Sequence, residues 1–135
     1  VSDRVLLGGW ATGTALVLDE PLSMWGGFDP ESGEIIDRRH PQAGAAATGT
    51  VLVMPTGRGS SSSSSVLAEA IRRGTAPAAL VLSEADDILL LGALVALELY
   101  GTVCPVVVAG PETYGMIRTG DAVTITPEGI TLGGR

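Results

Sequence analysis

The sequence has no lysine, one histidine and one cysteine in 135 residues. Without lysine there is neither a Schiff-base amine nor the phosphate-gripping lysine of a P-loop. One cysteine closes no internal disulfide and cannot supply the thiolates of an iron–sulfur cluster or a structural zinc. With His40 as the sole imidazole, no self-contained metal site is expected in the chain. Charge is also scarce at 17%, and fifteen acidic residues against eight arginines leave a net charge of −7. The only paired bases, Arg38-Arg39 and Arg72-Arg73, are too few for a phosphate-backbone surface, so nucleic acid is not an expected partner. Long apolar runs are missing too. The richest, Ile88 to Leu99, is interrupted by Gly92 and Glu98 and falls short of the roughly 20 residues that cross a bilayer. No basic segment leads into an apolar run at Val1–Trp10, so a soluble, cytoplasmic protein without membrane contact is expected. Such a chain uses a very small site or lends one to a partner.

What is present is a 45% apolar content, enough at this length for one core, so residues 1–135 read as a single domain. Arg4–Leu7 and Ala15–Leu18 read as short strands separated by a glycine-containing turn. Thr50–Met54, Ala78–Leu82 and Pro105–Ala109 are continuous apolar runs, the pattern of strands buried on both faces. Between them lie two helical patterns. Val66–Arg73 puts Val66, Leu67, Ala70 and Ile71 on one face and stops at Gly74; Ala85–Tyr100 stops at Gly101. Asp86 and Asp87 fall in the first turn of the second, where they complement the helix dipole. Asp121–Ile125 and Gly129–Leu132 predict a closing hairpin. The centre is therefore a βαβαβ unit of parallel strands with right-handed crossovers, and the whole is α/β with a β-rich side layer.

Two stretches are not scaffolding by pattern. Asp19–Thr48 has at most a small hairpin at Ser32-Gly33, and loops of this length inside a domain are usually functional or disordered. Its Met24, Trp25 and Phe28 favour order. The other is Pro55–Ser65, with six consecutive serines, Ser60–Ser65. A flexible linker has that composition, but this run joins a core strand to a helix that must pack back on it. Helix capping needs one serine, not six, and Glu69 stands one residue too far for a capping box. Geometry gives a third reading. The Gly57-x-Gly59 turn permits close backbone approach, and the helix start offers unpaired N–H groups to a carboxylate or phosphate. Arg58 adds a planar cationic fork. A hydroxyl among those dipoles has a stabilised alkoxide and can accept a proton from a carbon acid.

Three separated motifs then carry a resemblance. Asp19–Pro30 (DEPLSMWGGFDP), Ile35–Pro41 (IIDRRHP) and Gly57–Ser61 (GRGSS) resemble the small subunit of aconitase X, and Ala76–Ala79 and Gly92–Ala96 fit as well. The resemblance implies the swivelling β/β/α domain of the aconitase superfamily, either a separate subunit or fused to a large part. It implies a hydro-lyase that removes water from a small hydroxy acid, with the iron–sulfur cluster carried by the large subunit and none by this chain. Aligning Gly59-Ser60-Ser61 with the Gly-Ser-Ser-Arg turn of aconitases points to Ser60 as the proton acceptor. Gly57, Arg58, Gly59, Ser61 and Ser62 become the expected substrate-binding residues. The arginine that ends that turn elsewhere is replaced here by Ser62. The family includes cis-3-hydroxy-L-proline and mevalonate 5-phosphate dehydratases. The spellings Trp25-Gly-Gly, Arg58-Gly-Ser-Ser and Glu98-Leu-Tyr look more like the proline-derivative branch.

Other residues leave alternatives open. The same turn could dock an anion without catalysis, in a binding or regulatory module. His40 is a loop-bracing residue or, since swivelling domains also serve as phosphohistidine carriers, a phosphate shuttle; the glycine-rich segment expected before such a histidine is missing. Trp25 and Phe28 either cover a substrate or anchor the long loop. Asp29 caps a turn or faces the cleft, Cys104 reads as an inert core thiol, and Asp86 and Asp87 read as a helix start rather than a catalytic dyad.

Overall fold

Three short apolar runs, each too hydrophobic to face water on either side, make the middle of a sheet that two helices cover. The computed structural model describes residues 3–133. In chain order these form β1 (Arg4–Leu7), β2 (Ala11–Val17), a broken helical turn α1 (Met24–Gly27), β3 (Val51–Met54) and α2 (Ser63–Arg73). Then follow β4 (Ala79–Leu82), α3 (Asp87–Tyr100), β5 (Val106–Val108), α4 (Pro111–Met116), β6 (Ala122–Thr126) and β7 (Gly129–Leu132). The strands lie in the order β1-β5-β4-β3-β2-β6-β7. β2, β3, β4 and β5 run parallel, so the expected βαβαβ unit is present, while β1 and the β6–β7 hairpin pair antiparallel at the two edges.

Alternation within the central strands assigns the layers. Leu52, Met54, Leu80 and Leu82 point to one face and pack with Leu67, Ile71, Leu89 and Ala93 of α2 and α3. Val51, Val53, Ala79 and Val81 point to the other and pack with Ile117, Val123 and Ile125. β2 links the two β layers by changing partner midway. Its Ala15–Val17 half pairs with β3, while Ala11–Thr14 pairs with β6. The crossing is close enough to require Gly13, where a Cβ would stand 2.7 Å from the Gly49 carbonyl oxygen. Both main helices end as expected, on Gly74 and Gly101 in left-handed conformations (φ 80° and 69°) that an L side chain resists.

The structure corrects two sequence expectations, the starts of β2 and α2, and adds two features the sequence did not indicate, the place of β1 and the helix α4. β1 and β2, consecutive in the chain, are not neighbours; β1 crosses to the far edge and pairs with β5 through an irregularity at Leu6. β2 starts at Ala11 rather than Ala15, because its first half is held by β6. α2 begins at Ser63, three residues earlier than apolar periodicity indicates, so half of the serine run is helical; its buried face includes Ser63 and Ala68, with Val66 only half-buried. The short helix α4 starts at Pro111, on the Gly110 N-cap, and has no buried residue to mark it in the sequence. No helix among the described residues is long and apolar enough to cross a membrane.

The long Asp19–Thr48 stretch is ordered by burial rather than by regular structure. Leu22, Met24, Phe28 and Ile35 are each at most 2% exposed and belong to the helix-side core. The small hairpin expected at Ser32-Gly33 is formed, with Phe28 bridged to Ile35 and Gly33 N–H donating to the Asp29 carbonyl.

Candidate functional site

In an open parallel sheet the strand ends leave a crevice at the carboxyl edge, where backbone groups lose their ladder partners and ligands bind. Here the loops after β2, β3 and β4 meet at that edge. A bridge joins Leu22 to Gly57, and the Arg58 N–H donates to the Leu22 carbonyl at 3.1 Å. Ser83 and Glu84, just past β4, donate their N–H groups to the Pro55 carbonyl, both at 3.0 Å. A small depression at this junction is lined by Leu22, Gly57, Gly59, Ser60, Ser63 and Asp86 among others.

The six expected site residues lie on one turn, but they are not equivalent. The Gly57 N–H is already donated to Asp86 Oδ2 at 3.1 Å, and a Cβ on Gly57 would meet that oxygen at 2.5 Å. Arg58 turns outward to Glu20 at 3.5 Å, an ion pair with both side chains about half exposed (55% and 50%). Such a pair contributes at most about 1 kcal/mol, so an incoming anion can compete for the guanidinium. Gly59, Ser60 and Ser61 have backbone N–H groups with no acceptor among the described residues. Ser60 is half-buried, and its Oγ accepts the Ser62 N–H at 3.3 Å. Ser61 and Ser62 are exposed. Ser62 occupies the N-cap of α2 with helical dihedrals and makes no side-chain cap bond. The first helical N–H groups, of Ser63 and Ser64, go to the Ser60 and Ser61 carbonyls at 3.0 and 3.3 Å, so the open donors lie in the turn before the helix and not on its first residues.

Ser63 and Ser64 serve the structure. Ser63, 4% exposed, accepts the Trp25 N–H at 3.1 Å and lies 3.4 Å from Ser23 Oγ, which latches the long loop to the first turn of α2. Ser64 Oγ donates to the Ser61 carbonyl at 2.9 Å. The loop-anchoring reading of Phe28 holds at 2% exposure, whereas Trp25 projects at 59% exposure beside the site. Asp29 caps its own turn, accepting from Glu31 N–H and Ser32 Oγ.

His40 is 4% exposed and braces the loop with both ring nitrogens. The Gln42 N–H donates to Nδ1 at 3.0 Å, which places the ring proton on Nε2, 3.0 Å from the Glu20 carbonyl. No ring nitrogen is left to receive a phosphoryl group.

Sequence reasoning missed Asp86 as a site residue. It was read as part of a helix start, which it is: it is the N-cap of α3 and accepts from Ile88 and Leu89 N–H. Its other oxygen reaches the serine turn. The available signal was topological, since parallel neighbours β3 and β4 must bring the residues after them together. Asp87 is exposed and forms no dyad with it.

Against this geometry, a family model described as the aconitase X swivel domain matches residues 1–132. The chain belongs to that family. It is 50% identical over 107 residues to a cis-3-hydroxy-L-proline dehydratase of Pseudomonas aeruginosa, covering 79% of this chain but 18% of that protein. It is 42% identical over 96 residues to the phosphomevalonate dehydratase small subunit of Methanothermobacter thermautotrophicus, covering 71% of this chain and 73% of that one. The chain thus spans less than a fifth of the hydroxyproline dehydratase and most of the small subunit. In three dimensions it matches the aconitase X of Thermococcus kodakaraensis (holo-form) with a TM-score of 0.87 at 29% identity, covering 98% of this chain and 97% of that one. A UPF0107 protein solved by solution NMR matches with a TM-score of 0.85 at 29% identity over 99% and 98% of the two chains. The swivel fold of aconitase X, with its mixed sheet and two covering helices, is the fold of this chain.

The residues of this swivel domain do not fit an iron–sulfur cluster. Cys104 is the only thiol in the sequence, and it is 2% exposed, with Sγ directed at the Pro77 carbonyl at 3.6 Å. Burial pushes that thiol up to about 12, the reverse of what a thiolate ligand needs. Among the described residues no three His, Cys, Asp or Glu side chains gather in a metal-binding group.

Proposed function

We propose that residues 1–135 act as one swivel domain of an aconitase X hydro-lyase that dehydrates cis-3-hydroxy-L-proline together with a large subunit. The iron–sulfur chemistry and the departure of the hydroxyl are assigned to that subunit. This chain supplies the proton acceptor. In the reaction Ser60 Oγ, as the alkoxide, takes the proton from the carbon next to the one that bears the hydroxyl. The electrons of that C–H bond become the double bond as the hydroxyl leaves with its own pair.

The observation that carries this reading is the 3.3 Å donation from the Ser62 N–H to Ser60 Oγ at an uncapped helix start. Backbone dipoles aimed at an oxygen stabilise its anionic form without reorganising during the reaction. The open N–H groups of Gly59, Ser60 and Ser61 suit the substrate carboxylate, with Arg58 released from Glu20 to meet it. The spellings around Trp25, Arg58 and Glu98 favour hydroxyproline. A second reading, dehydration of mevalonate 5-phosphate, has support from a 51% identity over 77 residues to the phosphomevalonate dehydratase small subunit of Methanopyrus kandleri.

The test is to purify the chain alone and with its large subunit and assay both substrates. Only the complex should turn over hydroxyproline. Activity confined to mevalonate 5-phosphate would move the assignment to the second reading. No turnover of either by the assembled complex would leave the turn as an anion-docking device and defeat the enzymatic reading.

A further inference from the structure

Asp86 holds two elements with one carboxylate. Oδ1 accepts Ile88 N–H at 2.9 Å and Leu89 N–H at 3.0 Å, closing the start of α3. Oδ2 accepts Gly57 N–H at 3.1 Å and lies 3.4 Å from the Thr56 hydroxyl, which donates to it. The four donors and the dipole of α3 absorb its charge. That allows an anion to sit half-buried at the rim of a depression whose other wall is an anion-seeking turn.

We propose that Asp86 is a positioning residue that fixes the Gly57–Ser60 turn to the start of α3, and thereby sets where Ser60 stands. The inference rests on the proton-acceptor role proposed for Ser60. Aspartate is demanded at this position by its oxygens. Asparagine and serine cap a helix equally well, but each offers a single acceptor oxygen and can serve α3 or Gly57, not both. The same clamp accounts for Gly57, since any side chain there would occupy the place of Oδ2. A turn rich in glycine and serine has no apolar anchor of its own between Pro55 and Ser62. Its fixed points are the Gly57 N–H on Asp86, the Arg58 N–H on Leu22 and the Pro55 carbonyl under Ser83 and Glu84. Ser83 Oγ adds a 2.9 Å bond to the Pro55 carbonyl at the strand end, but at Gly57 and Arg58 the Asp86 contact alone is made by a side chain, and so it can be removed without breaking a strand or a bridge.

The experiment uses Asp86→Asn, with Asp86→Ser as a second variant that also keeps a cap. Tm and amide exchange at Gly57 are read in the full chain, and kcat and KM in the complex with the large subunit. The expected result is a Tm close to wild type, Gly57 exchange faster by about tenfold, and kcat lower by about 100-fold with KM changed far less, as a misplaced acceptor implies. Wild-type protection of Gly57 in both variants, or wild-type kcat, overturns the proposal. A wild-type complex that dehydrates nothing defeats the role of Ser60 instead, while Gly57 exchange still decides whether the clamp exists.

Discussion

Two strand-to-helix connections stand side by side at the carboxyl edge of the sheet. The one from β4 to α3 spans residues 83–86 and leaves little unsatisfied. Ser83 and Glu84 tie back to the Pro55 carbonyl, and Asp86 caps the helix. The one from β3 to α2 spans residues 55–62, ends on a serine that caps nothing, and leaves the Gly59, Ser60 and Ser61 N–H groups open. The same topological step is thus built once as scaffold and once as a site. The open connection is steadied by the closed one through Asp86, and by the long loop through Leu22 and Ser63. Unsatisfied donors survive at a site because neighbouring groups hold the backbone that carries them.

The comparison breaks first at its serines. Ser60→Ala should lower dehydration by about 10²–10⁴-fold, the usual contribution of a proton-transfer residue, with assembly and Tm near wild type because Ser60 is half-buried and makes one long hydrogen bond. Ser83→Ala, at the closed connection, removes only a 2.9 Å bond to the Pro55 carbonyl and should leave turnover within a small factor. Steady-state assays of the two complexes check the pair. Equal losses would show that the two connections do not differ in the way proposed.

How far the sequence exposed this contrast depends on the kind of signal. Val51–Met54, Ala79–Leu82 and Val106–Val108 are legible because burial on both faces leaves no position for a polar residue. Gly74 and Gly101 are legible because only glycine takes their backbone easily. The placement of β1 beside β5 is not, since a four-residue strand carries no mark of which distant edge it will join. The start of α2 is hidden for a different reason: serine has no apolar period, and the burial of Ser63 comes from the Trp25 and Ser23 contacts of a remote loop. The site turn itself was visible as glycine and serine chemistry, while its support from Asp86 required knowing that β3 and β4 are parallel neighbours.

A middle-sized effect is expected where α2 and α3 touch. Gly92 of α3 faces the first turn of α2, and a Cβ there would stand 2.7 Å from the Ser64 carbonyl oxygen and 3.1 Å from Ser64 Cα. Backbone cannot give way as a side-chain tip can, so Gly92→Ala should force the helices apart. Overpacking costs about 1–3 kcal/mol, and the better helix propensity of alanine returns about 1 kcal/mol. Thermal unfolding should show a net loss, and turnover should fall with it because Ser60–Ser62 lead directly into the displaced turn. A stabilised Gly92→Ala protein would mean that the close approach of the two helices does not constrain the open connection.

The smallest effect is expected at the other end of α2, which is as closed as the turn leading into the helix is open. Glu69 accepts Arg72 Nε and Nη2, both at 2.7 Å, and Arg73 Nε at 2.9 Å. Those hydrogen bonds, first from Arg72 and then from Arg73, lower the Glu69 carboxyl from 4.5 to about 2. A carboxyl held lower in the folded chain than in the unfolded one adds stability above its unfolded value and loses it as pH falls through the folded one. Glu69→Gln should therefore unfold at a slightly lower temperature than wild type at pH 7. The gap should narrow below pH 4.5 and close near pH 2. It should also shrink in high salt, because all three side chains are solvent-accessible and screened. Turnover should not change, since this end of the helix is remote in sequence from Ser60 and touches none of the groups that hold the turn. A Tm gap that stays constant down to pH 2 would show that the glutamate acts through packing rather than charge. The contrast between a self-satisfied helix end and an exposed, ligand-seeking turn would then rest on residues 59–61 alone.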